Sequence, residues 1–261
     1  MGKIYMTACM KGGCAKTVTT YNLAYSLKEL GKKVLCVDFD SQANLSTCFG
    51  VENPVAVPVT IGHLMMAQID DDELPGFKEY IQSRNGVDFI SSSMMLSAVD
   101  AKLRLEMGAE KMLSEILEPL RDRYDAIIID TAPTLGALNI NALAAADEVI
   151  ITVNPQLLAM MGLQDLLKTI KKIKKKINPN LDISGILLTM CDERTNLYKQ
   201  IVSDVREACS GFVPIFDTKI PTTTKIGEAI YYGLSIEEYA SSSTAGKAYM
   251  EFAKELLSKE D

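Results

Sequence analysis

The residues best placed to do chemistry stand in one run, Met10-Lys11-Gly12-Gly13-Cys14-Ala15-Lys16-Thr17. The apolar stretch Ile4–Cys9 before them reads as a strand, and Thr17 opens a helical pattern. A strand–loop–helix junction turns several free backbone N–H groups toward one point at the positive end of the helix, which suits an anion. Glycines let such a backbone wrap closely. Lys16 adds a point charge for the β/γ-phosphates of a nucleotide. The Thr17 hydroxyl completes a Mg2+ shell otherwise made of water and phosphate oxygens. The ordinary pattern G-x-x-x-x-G-K-[ST] fails here, because Met10 and Ala15 occupy its two glycine positions. A Gly-Gly turn with two surface lysines is the plain alternative.

Two further stretches bear carboxylates where a nucleotide would need them. The strand Val34–Val37 runs into Asp38-Phe39-Asp40-Ser41-Gln42-Ala43-Asn44. Tyr124-Asp125-Ala126-Ile127-Ile128-Ile129-Asp130 places an acid after four apolar residues and predicts Asp130 beside Mg2+. Carboxylates at the carboxyl ends of parallel strands face the crevice where α/β folds bind ligands. Turn capping is the alternative for Asp38 and Asp40.

Elements that could hold these residues alternate along the chain. Ile4–Cys9, Val34–Val37, Ala126–Asp130, Val149–Val153 and Ile183–Thr189 read as strands, with Val87–Ile90 and Phe212–Phe216 as further candidates. Several are continuous apolar runs, as parallel strands covered on both faces require. Thr17–Leu30, Leu135–Ala146, Ala159–Ile177, Asn196–Cys209 and Thr244–Leu257 read as helices, the first stopped by Gly31. Met94–Arg123 reads as a long helical region. The alternation predicts an α/β fold, doubly wound, with a mostly parallel sheet and helices on both faces. One domain is expected to span 1–261, with an irregular surface excursion at about 51–93.

Composition narrows the class. The chain has 261 residues, 48% hydrophobic and 23% charged, with a formal net charge of -7, so nucleic acid could be held only by a local basic patch. No apolar run reaches the ~18 residues of a membrane span, and the start lacks a signal-peptide core, so a cytoplasmic protein is expected. Six cysteines and one histidine lack the clustering of a zinc site, and the cysteines are read as reduced, mostly buried thiols.

The loop fits a variant pattern, K-G-G-x-G-K-[ST], with Ala15 for the last glycine, and in this it resembles the ParA/MinD (Soj-like) family of P-loop ATPases with a deviant Walker A loop. Four further stretches resemble the same family. Asp38–Asn44 is similar to its D-x-D-P-Q-G-N, with Ser41 and Ala43 replacing Pro and Gly; Asp130-Thr131-Ala132-Pro133 is similar to its switch II. Leu187–Leu197 follows L-L-T-M-x-D-x-R-T-N-L, and Ile220–Ala229 shares Ile220, Pro221, Glu228 and Ala229 with I-P-R-N-V-R-L-S-E-A. The likeness runs from about residue 3 to 257 and is weak across 51–93.

The resemblance implies a Mg2+-dependent ATPase, closest to the partitioning type, that is slow and dimerises around ATP. Lys11 then reaches the phosphates of the partner subunit, and Asp40 positions the attacking water near the metal. The catalytic set becomes Asp40, Lys11 and Lys16, and the metal set Thr17, Asp40 and Asp130. Gly12, Gly13, Cys14, Ala15, Lys16, Thr17 and Val18 line the phosphates with Lys11, while Met190, Pro221 and Thr223 border the adenine. The implied partners are a second copy and a ParB-like adaptor, with cargo that is DNA or something else, and a nucleoid-associated location becomes part of the expectation. A nucleotide-binding switch or scaffold with little turnover stays open, since Ala15, Ser41 and Ala43 all depart inside catalytic loops. If position 15 needs a positive φ, its Cβ costs roughly 1–2 kcal/mol.

Non-specific DNA binding needs basic residues that track phosphates. Ala159–Ile177 carries Lys168, Lys171, Lys172, Lys174, Lys175 and Lys176, without which 21 basic residues face 34 acidic ones. Its leucines and isoleucines recur at helical spacing, so the lysines crowd the other face; a solvated amphipathic helix has the same pattern. Lys171, Lys172, Lys174 and Lys175 are the candidates here. By resemblance, Arg194 stands at a DNA-contacting position, while Thr222 and Lys225 replace two arginines, which removes one charge and one planar fork. The end Phe252–Asp261 is charged and partly acidic, so no membrane anchor is expected. Nitrogenase iron-protein relatives share the loop and hold a cluster between subunits, but here Cys9 and Cys14 lie at the loop and no cysteine falls in 92–135, where the resemblance would put the ligands, so no such cluster is expected.

Overall fold

A computed structural model describes all residues except 10, 11, 135, 156–158, 195, 210–212, 260 and 261. The chain begins β1 (Lys3–Ala8), α1 (Lys16–Glu29), β2 (Val34–Phe39), α2 (Asn44–Cys48), α3 (Ile61–Ile69), α4 (Phe77–Tyr80), β3 (Ile81–Arg84) and β4 (Val87–Ile90). It continues with α5 (Met95–Leu103), α6 (Met112–Leu117), β5 (Ala126–Thr131), α7 (Ala137–Ala145), β6 (Glu148–Val153), α8 (Ala159–Lys176) and β7 (Asp182–Cys191). α9 (Asn196–Cys209), β8 (Ile215–Pro221), α10 (Lys225–Tyr231), α11 (Ile236–Ala240) and α12 (Thr244–Leu257) complete it.

Eight strands form one sheet in the order β3-β4-β2-β5-β1-β6-β7-β8, parallel except for the antiparallel β3. Helices cover both faces. One core packs Leu64, Leu96, Leu117, Leu143, Leu166 and Ile201 of α3 and α5–α9 against one side, and the other packs Tyr21, Tyr249 and Phe252 of α1 and α12 against the opposite side. This is the expected doubly wound α/β fold. The central strands are buried along their length because both faces are covered. From β1 the chain turns toward β2, whereas from the neighbouring β5 it turns the other way to β6, so the crevice at their carboxyl ends is a topological switch point.

Expectation and structure part in four places. The stretch 51–93 is no surface excursion throughout: Ile61, Leu64 and Met65 of α3 are fully buried, and β3 and β4 extend the sheet. Its periodicity was masked by short elements joined at Asn85-Gly86, whose positive φ values of 49° and 84° make the tight hairpin turn. Met94–Arg123 is broken rather than continuous, at Gly108 with φ 70° and at the one-turn Glu118–Leu120 around Pro119. The strand expected at Phe212–Phe216 is β8, beginning at Ile215. Finally, Cys36, Cys48 and Cys191 are buried free thiols as expected, but Cys9 and Cys14 are joined by a disulfide. The single histidine, His63, accepts from the Thr60 backbone N–H at 3.1 Å and caps α3.

Candidate functional site

The loop after β1 enters α1 through two left-handed residues, Gly13 at φ 79° and Ala15 at φ 59°. Successive N–H groups in such a conformation converge into an anion-binding concavity. Ala15 is the N-cap and offers no side-chain acceptor, so the first N–H groups of α1 stay open to a ligand. A Cβ at Gly12 or Gly13 would meet nothing within 4 Å, so the space before this backbone is free. Thr189 Oγ1 donates to the Cys14 carbonyl at 3.2 Å and ties the loop to β7. Lys16 is buried at the start of α1, and Gly12, Gly13, Cys14, Ala15, Thr17 and Val18 lie around it in sequence. Lys11, the residue that carries the partner-reaching expectation, lies outside the described residues.

Strand pairing brings the acids to this loop. Asp130 stands opposite Thr7 of β1 and opposite Asp38 of β2. It is fully buried, it accepts from the Thr7 hydroxyl at 3.5 Å and from the Thr17 hydroxyl, and its Oδ2 has no hydrogen-bond partner among the described residues. Burial pushes its carboxyl up from 3.8 to about 6, opposed by the Lys16 charge and the Thr17 bond and assisted by Asp40. A buried carboxylate oxygen left unpaired is costly, and a hard cation beside it would supply the missing partner. Thr17 and Asp130 therefore fit a Mg2+ ion held mostly by phosphate oxygens and water. Among the described residues no group of three His, Cys, Asp or Glu side chains forms a metal cage.

Asp38 and Asp40, alike in the sequence, have different tasks. Asp38 Oδ2 accepts from both the backbone N–H and the hydroxyl of Ser46 at 2.7 Å and so pins α2. Burial, and then the Asp130 charge, push its carboxyl up to about 7. Asp40 accepts from Gln42 N–H at 3.0 Å in a turn and lines an open cleft with Ser41, Gln42, Ala132, Pro133 and Thr134. The capping alternative thus describes Asp38 and, through the Gln42 bond, Asp40 as well, but only Asp40 also lines the cleft. Ala43, in a position expected to be glycine, sits at φ 52° as the N-cap of α2.

On the other side of the crevice, Met190 ends β7 at φ 53° and is 45% exposed, with Asn154 donating to its sulfur at 3.6 Å. Cys191 pairs with Pro221, and Thr222 N–H donates to the Cys191 carbonyl at 3.0 Å, which draws Met190, Pro221 and Thr223 to one rim. The serines that support the site escaped the sequence reading: Ser46, and Ser92, whose hydroxyl donates to the Asp40 carbonyl at 2.7 Å. Thr7, a lone polar residue in an apolar strand, was the one readable signal.

The basic candidates fall into two groups. Leu163, Leu166, Ile170 and Ile173 of α8 are buried, and Lys171, Lys172, Lys174 and Lys175 are exposed on its other face. They occupy the end of α8 that returns to the amino ends of the strands, where Lys174 meets Asp182 at 3.3 Å. Arg194 and Lys225 instead follow the carboxyl ends of β7 and β8. Arg194 holds Asp192 at 2.8 and 3.0 Å, and the Lys225 ammonium lies 5.7 Å from the Tyr239 ring centroid. Among the described residues no helix is long and apolar enough to cross a membrane.

Comparison with known proteins places this geometry in context. A family model described as an AAA domain matches residues 2–183. The sporulation initiation inhibitor protein Soj of Bacillus subtilis is 35% identical over 98% of this chain and 98% of its own length. The chromosome partitioning protein ParA of Caulobacter vibrioides is 31% identical over 99% of this chain and 95% of its own. Among solved structures, cobyrinic acid a,c-diamide synthase from Mycobacterium smegmatis with bound ATP analogue and magnesium superposes with a TM-score of 0.83 at 30% identity, covering 98% and 95% of the two chains. The Pyrococcus furiosus cell division ATPase MinD superposes with a TM-score of 0.78 at 25% identity over the whole of both.

Proposed function

The chain belongs to the ParA/MinD group of P-loop ATPases, and from that premise we propose that it hydrolyses ATP slowly, with Mg2+, as a sandwich dimer that partitions or positions DNA or another cargo. The observation that carries the reading is Asp130, a buried carboxylate with one unpaired oxygen set against Thr17 and Lys16 at the mouth of the phosphate loop.

The residues divide the work as phosphoryl transfer demands, through positioning and charge compensation rather than covalent chemistry. Backbone N–H groups from Gly12 to Thr17 hold the phosphates, and the Lys16 ammonium offsets the charge that grows on the β/γ-oxygens. Thr17 and Asp130, with Asp40 at the cleft, would hold Mg2+, which neutralises phosphate charge when bound. Asp40 holds the attacking water and accepts its proton. Lys11 of one subunit completes the site of the other. Met190, Pro221 and Thr223 border the base. A ParB-like adaptor stimulates turnover, non-specific DNA is held by exposed lysines of α8, and the cytoplasm, at the nucleoid, is the proposed location.

The test is phosphate release together with sedimentation in ATP and in ADP. Asp40→Ala should abolish turnover, keep ATP binding and accumulate as a dimer. Unchanged turnover in that variant, or a monomer in ATP, overturns the mechanism. A switch or scaffold with little turnover is the second reading, favoured by the left-handed Ala15 and Ala43 in the two catalytic loops. Turnover that stays at background with DNA and adaptor present would decide for it. For DNA, charge reversal of Lys171, Lys172, Lys174 and Lys175 should remove binding and its steep salt dependence.

A further inference from the structure

Cys9 follows β1 directly, and Cys14 is the residue before the left-handed Ala15. Their Cα atoms are 6.7 Å apart and their sulfurs are bonded, so the cross-link spans the segment that carries Gly12 and Gly13. Cys36, Cys48 and Cys191 are buried free thiols, and burial pushes each of them up, away from the reactive thiolate form. Disulfides in reducing compartments are usually transient and redox-sensing rather than structural. A cross-link with one end inside a ligand-binding loop is therefore placed to report redox state on that ligand.

We propose that Cys9 and Cys14 are a reversible dithiol–disulfide pair that controls ATP uptake by the phosphate loop, an inference resting on the nucleotide reading above. The oxidant is a low-molecular-weight disulfide of the glutathione class. The half-buried Cys9 thiolate attacks one sulfur of that disulfide, whose S–S bond breaks and releases one thiolate. The Cys14 thiolate then attacks the Cys9 sulfur and expels the second. Two cysteine thiols are oxidised, one small disulfide is reduced to two thiols, and those thiols take the two protons. Oxidation ties Cys9 to Cys14 and so restrains the backbone that bears Gly12 and Gly13. Reduction removes that restraint, so that Gly12 and Gly13 can adjust to a bound phosphate. Binding and oxidation are then reciprocally linked: whatever factor the disulfide removes from ATP affinity, bound ATP removes from disulfide stability.

The test uses the full chain poised in glutathione buffers, with the disulfide read by alkylation and intact mass and binding read with a non-hydrolysable ATP analogue. The reduced protein should bind the analogue at least ~10-fold more tightly than the oxidised one. Saturating analogue should shift the glutathione midpoint by the same factor, about 30 mV for a two-electron couple. Cys9→Ser should bind like the reduced protein and ignore the buffer. Absence of the disulfide at every ratio, equal affinity in both states, or a redox response that survives Cys9→Ser overturns the proposal while leaving the nucleotide reading standing. No analogue binding in either state, with the disulfide forming normally, overturns the nucleotide reading and the inference together.

Discussion

Both edges of the sheet carry acids, and the two edges handle them in opposite ways. At the amino edge Asp147 accepts from Ile4 N–H at 2.7 Å and from Arg121 at 2.6 and 3.0 Å, and Asp125 accepts from Lys33 N–H at 2.7 Å. Arg121 also reaches the Gly2 carbonyl at 3.1 Å. Every one of these charges has a partner. At the carboxyl edge Asp38 and Asp130 face each other across paired strands, Asp130 lacks a partner for one oxygen among the described residues, and Ala15, Ala43 and Met190 sit in left-handed backbone. One edge is settled by its own side chains, and the other leaves costs that a bound ligand can offset. That asymmetry is what a ligand site requires, since unpaired groups and strain persist only where the surroundings hold them.

The largest effect should come from Asp130→Asn. It removes charge where the proposed site would handle Mg2+ and phosphate, and turnover should fall roughly 100- to 1000-fold, the size seen when one electrostatic contact to a transition state is lost. The nucleotide-free protein should at the same time melt higher at pH 8, since a buried charge beside Asp38 is gone. A lower melting temperature would mean that Asp130 is structural. Arg121→Ala tests the other edge. It should cost about 1–3 kcal/mol by leaving Asp147 without its main partner, read as a fall in Tm, with kcat unchanged. A kcat loss would break the division between the edges.

pH separates the edges further. Asp38 and Asp130 titrate near 7 and 6 in the folded, ligand-free protein and near 3.8 when unfolded. The folded state therefore keeps protons that the unfolded state gives up. The stability they contribute is full below about 3.8 and is lost as pH rises through 6 to 7. Urea unfolding should show a loss of roughly 1–3 kcal/mol from pH 5 to pH 8. Asp38→Asn should flatten that slope, and an unaltered slope would place its origin elsewhere. The smallest effect is expected at the strained alanines. Relief of ~1–2 kcal/mol of left-handed strain, less ~0.5–1 kcal/mol of added chain freedom, should make Ala15→Gly and Ala43→Gly each about 0.5–1 kcal/mol more stable. Glycine adopts the same left-handed turn, so ATP affinity should hold or tighten by less than about threefold. A marked loss would show that the bound loop has another shape.

Much of this molecule was readable in the linear chain. Alternating apolar runs and helical periods located the central strands and the long helices, because those patterns follow from which faces must be buried. Gly31, at φ 80°, ends α1 as its type and position imply. That the loop after β1, Asp40 and Asp130 lie at one crevice was legible because a strand end delivers its last residues there whatever lies beside it. The short, irregular pieces were not legible: α3 lies in a stretch without a sustained period, and the Asn85-Gly86 hairpin carries its signal in only two residues.

The sequence by itself determined the order of elements, the place of the phosphate loop and the acids at strand ends, since these depend on local dihedral preference and on burial period. Only the tertiary structure decided which acid is pinned and which faces the cleft, because that depends on register: Thr7 meets Asp130 across 123 residues, and Ser92 reaches Asp40 across 52. It also divided the basic residues between two edges, since a helix that crosses back carries its last turns away from the crevice. And it joined Cys9 to Cys14, a pair separated in sequence by five residues and brought together by the turn of the loop itself.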